Sequence, residues 1–157
     1  SVPKSFEEGA GLCVFIGRIF MSAVTLLCAD RPLPLYEAKT RRTRIVQSGR
    51  HTLTIEEDGF SVQKHEYYLW AVNDLCLTMK PYPYELDLRA TECDVTELQA
   101  YLRENLCSGE AVEIWHLWVG DNAPTRLIRF SGALEDLDLD TLEQLEEDYQ
   151  TCMTITI

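Results

Sequence analysis

Val112-Glu113-Ile114-Trp115-His116-Leu117-Trp118-Val119 is an almost wholly apolar run, closed by the turn signal Gly120-Asp121-Asn122-Ala123-Pro124. A run of this length reads as a strand covered on both faces. If Trp115, Leu117 and Val119 face helices, then Ile114, His116 and Trp118 face the other side, and something must cover them. The segment 1–83, with apolar runs of its own, is the first candidate. A partner protein is the second, because Trp is favoured at binding hot spots.

Upstream, Tyr84, Leu86, Leu88 and Ala90 alternate with Glu85, Asp87 and Arg89, the period of a half-buried strand. Asp94 with Glu97 three residues on reads as a capping box, and Val95, Leu98, Leu102 and Leu106 follow on one helical face. Ser108-Gly109 ends that helix. Downstream, Thr125 to Ser131 reads as a strand forming a hairpin with 112–119. Asp140 and Glu143 read as a second capping box, with Leu139, Leu142, Leu145 and Tyr149 pointing inward. Thr151 to Ile157 is the last strand, with Met153, Ile155 and Ile157 opposite Cys152, Thr154 and Thr156. The order is strand, helix, strand, strand, helix, strand. It predicts an α+β fold with an antiparallel sheet whose C-terminal part, 84–157, is a split βαβ (ferredoxin-like) unit. A strand-rich half, 1–83, packs on it, and the 157 residues form a single domain.

In the first half, Ala10 to Ala29 is the most apolar stretch. Arg18 in its middle argues against a membrane span, and Glu7 and Glu8 beside Lys4 argue against a signal peptide. It reads as a buried segment, either one helix or two strands broken near Gly17 or Ser22. Asp30 to Pro34 is a turn. Lys39, Arg41, Arg42, Arg44 and Arg50 form the basic cluster, read as an exposed loop or as a segment paired to the acidic half. Asp58-Gly59 between His51–Ile55 and Phe60–Lys64 reads as a hairpin turn. Glu66 to Leu77 reads as a strand through Trp70, then a bend or short helix at Asn73-Asp74.

The formal charge of −12 is unevenly spread. Residues 1–83 hold ten Lys/Arg against nine Asp/Glu, a balance of +1; residues 84–157 hold four against seventeen, a balance of −13. So acidic a half repels phosphate backbones and attracts cationic partners, which argues against direct nucleic-acid binding. A solvated face that keeps the protein soluble is the plainer explanation of the same charge. The six cysteines show no C-x-x-C pair and no zinc spacing to a histidine, and they read as reduced thiols of a cytoplasmic protein. No nucleophile elbow, phosphate loop, dinucleotide fingerprint or H-E-x-x-H occurs. His51, His65 and His116 are scattered. The expectation is no catalytic residue, no metal and no cofactor.

The run Ala100-Tyr101-Leu102-Arg103-Glu104-Asn105 leads into 113–121, then Arg126-Leu127-Ile128 and the acidic 137–148 region. This pattern resembles the C-terminal part of small immunity proteins of bacterial contact-dependent and polymorphic toxin systems. The resemblance covers the last half of the chain. It implies an acidic cytoplasmic protein that binds a cognate basic toxin domain, often a nuclease, and blocks it. The candidate partner-binding residues are Trp118, Asp121, Asp136, Asp138, Glu143, Glu146, Glu147 and Asp148. Charge reversal at Asp138 and Glu147 is expected to weaken binding and its salt dependence. A small-molecule-binding regulatory domain is the alternative. An enzyme using a Cys or His is a third reading.

Overall fold

The computed structural model describes residues 12–16, 19–121, 123–147 and 149–157, with side chains from Ser22 onward. Lys4, Glu7, Glu8, Ala10, Gly17, Arg18, Asn122 and Asp148, all read above, lie outside the described residues, as does the Cys13 side chain. Among the described residues the fold is α+β, with a mostly antiparallel sheet and three α-helices. The strands are β1 (Leu12–Ile16), β2 (Ile19–Ala29), β3 (Tyr36–Glu37), β4 (Arg42–Ser48), β5 (His51–Glu57), β6 (Ser61–Lys64), β7 (Tyr82–Asp87), β8 (Ala111–Gly120), β9 (Leu127–Ala133) and β10 (Gln150–Thr156). The helices are α1 (Leu69–Asp74), α2 (Glu92–Asn105) and α3 (Leu139–Leu145).

The apolar N-terminal stretch is two strands, in keeping with its Val, Ile and Phe content. One sheet runs β3-β6-β7-β2-β8-β10-β9, with β1 also on β2. All its pairs are antiparallel except β9 with β10. The order of elements along the chain is therefore as read, but the pairing of a split βαβ unit is not present. That unit would place its first strand beside its third and join its second and third in a hairpin. Here β2 separates β7 from β8, and β10 separates β8 from β9. Side-chain content explains the order. β2 and β10 are buried on both faces along most of their described length and take the slots beside β8. β9 carries exposed Arg129, Ser131 and Gly132 and goes to an edge. The N-terminal half thus packs on the C-terminal half, as expected, and also contributes a central strand to the same sheet.

Both faces of β8 are covered, with the two sides exchanged relative to expectation. Val112 and Ile114 join the core under α2 and α3, with Leu98, Leu102, Leu142, Met153 and Ile155. Trp115, Leu117 and Val119 face the opposite side, where Tyr68, Ala71, Val72, Leu75, Leu77 and Met79 cover them. The segment around Trp70 is the helix α1, and the strand expected from Glu66 through Trp70 is not present. Tyr68 at φ 59 and Cys76 at φ 54 bend the chain at either end. That bend lays Val72 on the sheet and leaves Trp70 85% exposed.

The Asp58-Gly59 pair is not a hairpin turn. β5 pairs with β4, and β6 pairs with β3 and β7. The turn is at Gly49, where φ is 61. Gly59 answers a different demand: a Cβ there would lie 2.1 Å from the Thr40 carbonyl oxygen, so only glycine allows the two backbones to pass.

Helix α2 is capped by Thr91, whose hydroxyl accepts from the Asp94 N–H at 3.1 Å. Asp94 sits one turn further in because its carboxylate is needed elsewhere. It receives Arg42 through Nε at 3.1 Å and Nη2 at 2.6 Å, and also the Arg89 N–H and the Thr91 hydroxyl. Arg42 gives its remaining donors to Asp87 Oδ1, Asp87 O and Asp58 O. All five guanidinium N–H groups are thereby used. Burial disfavours the Asp94 charge, but bonds from Arg42, Thr91 and the Arg89 N–H outweigh it and hold the carboxyl below its usual range. One arginine of the basic cluster is thus paired to the acidic half, as the second reading of that cluster had it. Arg41 and Arg44 pair with Glu56, Asp58 and Glu57 instead.

Candidate partner-binding site

Four leucines set the geometry of the acidic segment. A 3-10 turn (Leu134–Asp136) leads into Leu137 and then α3, and Leu134, Leu137, Leu142 and Leu145 are all buried. Their spacing turns the residues between them outward. Gln99 Nε2 donates to the Leu134 and Leu137 carbonyls at 3.2 and 3.1 Å, fixing the turn to α2. At the other end, Trp118 Nε1 donates to the Glu147 carbonyl at 3.2 Å.

The result is a flank of seven exposed carboxylates: Glu135, Asp136, Asp138, Asp140, Glu143, Glu146 and Glu147. Among the described residues none of the seven forms an ion pair. Two have structural work. Asp138, not Asp140, caps α3: its Oδ1 accepts the Thr141 N–H at 2.9 Å and hydroxyl at 2.7 Å, which lowers its pKa. A capping pair of Asp140 with Glu143 is not made. Glu146 is crowded by surrounding protein, which raises its pKa against the opposing bond from the Ala90 N–H.

Beneath this flank, α3 and β9 enclose a cleft of about 390 Å³. Its floor is Phe130, Gly132, Met153 and Ile155; Asp136, Leu137, Thr141 and Gln144 form the wall. A Cβ added at Gly132 would meet nothing within 4 Å, so the missing side chain is what keeps the floor open.

Asp136, Asp138, Glu143, Glu146 and Glu147 are therefore all exposed along one segment, with Asp136 at the cleft and the Glu146 carboxylate against the Ala90 N–H. Trp118 does not join them as a contact residue. It is 7% exposed, stacked edge-on to His116 at 5.7 Å, and its backbone is bracketed by the Gln150 amide at 2.7 and 2.8 Å. Asp121 is exposed, but it follows the end of β8 that lies near Gln150, whereas the cleft lies toward the Ile155 end of β10.

The other chemical groups stay apart. His116 is buried and its Nδ1 lies 3.0 Å from the Thr25 hydroxyl; burial lowers its pKa to about 4. His65 lies beside β6 and His51 on the β4–β5 hairpin. Burial pushes the Cys28 thiol to about 12 and the Cys152 thiol to about 11, so both are protonated at neutral pH. All five described cysteines are free. Among the described residues no group of three or more His, Cys, Asp or Glu is placed to hold a metal, and no helix is long and apolar enough to cross a membrane. Comparison with protein-family models, curated proteins and solved structures found no match to the chain.

Proposed function

We propose that the protein is a binding inhibitor of a cationic protein domain, and most concretely an immunity protein that neutralises a bacterial toxin. One observation carries this reading: the segment 135–147 exposes seven carboxylates, and among the described residues none of them forms an ion pair. Unpaired like charges concentrated at one place oppose folding, so the fold alone gives no reason for the arrangement. A basic partner would relieve the repulsion and be steered to the site, most strongly at low salt. Asp136, Glu143 and Glu147 have no structural bond through their carboxylates and are the contact residues of choice. The alternative of a regulatory domain for a small molecule now rests on the cleft, whose volume falls in the ~300–1,000 Å³ range of ligand pockets.

The test is co-expression with a toxin domain encoded beside the gene. Growth rescue and a stable, salt-sensitive complex are expected, with both weakened by Glu143→Lys/Glu147→Lys. Rescue that is indifferent to these substitutions and to salt would remove the flank from the interface. Thermal stabilisation by a small metabolite, with no protein bound, would favour the ligand reading.

A further inference from the structure

The strand order β3-β6-β7-β2-β8-β10-β9 ends in two edges that are treated differently, with β1 a further, five-residue edge on β2. At one end lies β3, of only two residues. So short an edge is a common protection against unwanted pairing. At the other end lies β9, seven residues long, with no proline and a single charge, Arg129. No described strand pairs with its outer side. Among the described residues it offers an unpaired row of backbone N–H and C=O groups about 20 Å long. Arg129 does not screen the cleft, because its guanidinium lies 5.2 Å from the centre of the Trp115 ring, on the opposite face of the sheet.

We propose that β9 receives an extended cationic segment of the partner as an added strand. One large apolar side chain of that segment enters the cleft over Gly132, and its neighbouring Lys or Arg residues meet Asp136 and the α3 flank. Three observations converge on this occupant. The open edge supplies main-chain pairing, which is sequence-tolerant. The cleft begins at the same strand, and side chains of an added strand alternate, so every second one falls on the cleft side. The adjoining flank is unpaired and negative, which selects a cationic segment. A second copy of this chain is disfavoured by the same charge, since β9-to-β9 pairing would bring two such flanks together.

This inference rests on the cationic-partner reading and adds its geometry. It can be tested on the whole chain with a peptide of about ten residues alternating Leu and Lys, and with the same peptide N-methylated at alternate amides. Methylation removes backbone donors and keeps the charge. The parent peptide is expected to bind, to protect amides of 127–133 from hydrogen exchange, and to lose at least about tenfold in affinity on methylation. Gly132→Leu, which has room to fold, is expected to cost a similar factor by filling the cleft. Equal binding of the two peptides would overturn the added-strand geometry while leaving the cationic-partner reading intact. Undiminished binding to Gly132→Leu would overturn the role of the cleft. Failure of both peptides to bind at low salt would overturn the inference and count against the cationic-partner reading as well.

Discussion

At the corner between β7 and α2, Asp87 and Asp94 close on Arg42; on the α3 flank, Asp136, Glu143 and Glu147 form no ion pair among the described residues. Both regions belong to the half that carries −13, and net charge alone cannot tell them apart. At the corner the acid is consumed by the fold. Arg42 comes from a hairpin that has little core of its own, and its five bonds tie that hairpin to the sheet and to α2. On the flank the fold asks nothing of most of the carboxylates. The useful quantity for finding a binding surface is therefore the acid left unpaired after the fold has taken its share.

The contrast is sharpened most by Arg42→Met. It strands Asp94, which is 1% exposed at its side chain, without a counter-charge. A cost of about 3–5 kcal/mol is expected in urea unfolding. The acid limb of stability should change with it. The Asp94 pKa is depressed in the folded state, so its contribution is full above the ordinary value near ~3.9 and is lost as pH falls through the lower, folded value. In Arg42→Met that limb should flatten.

His116 makes a second, separable pH dependence. Its folded value is about 4, so between an unfolded value of ~6.5 and about 4 the unfolded chain binds the extra proton. Stability should fall as pH falls through that window, by on the order of 2–3 kcal/mol, and His116→Phe should abolish the slope. Chemical-shift titration of the imidazole checks the assignment.

Smaller effects follow. Gly59→Ala forces its Cβ onto the Thr40 carbonyl and disturbs the approach that positions Arg42, for about 1–3 kcal/mol. Thr91→Ala removes the α2 cap at about 1 kcal/mol. Glu143→Lys/Glu147→Lys should change stability least, within about 0.5 kcal/mol, while weakening binding to a cationic partner. If the flank variant unfolded the protein as Arg42→Met does, the distinction between consumed and spare acid would collapse.

Much of this was legible in the residues. The 3.6-residue spacing of Val95, Leu98 and Leu102 and the alternation of Met153 and Ile155 with Cys152 and Thr154 gave elements and faces correctly. The acidic segment was recognisable as an outward face. Pairing was not legible, because strand order depends on which strands can be buried on both sides. β2 and β10 take the slots beside β8 and leave β9 at an edge, and that choice is made in three dimensions. Caps were misplaced by two or three residues because Thr91 and Asp138 offer the same chemistry as Asp94 and Asp140. The cleft was missed, although a glycine inside a strand pattern is a signal of open space or close approach, and Gly132 is one. Trp118 was over-weighted as a contact because exposure of a tryptophan cannot be read from its neighbours. The exposed indole is Trp70, on the short α1.

The central position of β2 has a cost during synthesis. This long apolar strand leaves the ribosome well before its partner β8, which begins at Ala111, and Thr25 waits for His116 across a separation of 91 residues. At ~5–20 residues per second that is an interval of roughly 5–20 s in which β8 is missing and, among the described strands, β1 and then β7 are what can pair with it. A nascent chain of this kind depends on chaperones that hold apolar segments, and its yield in cells should respond to their supply more than its equilibrium stability would suggest.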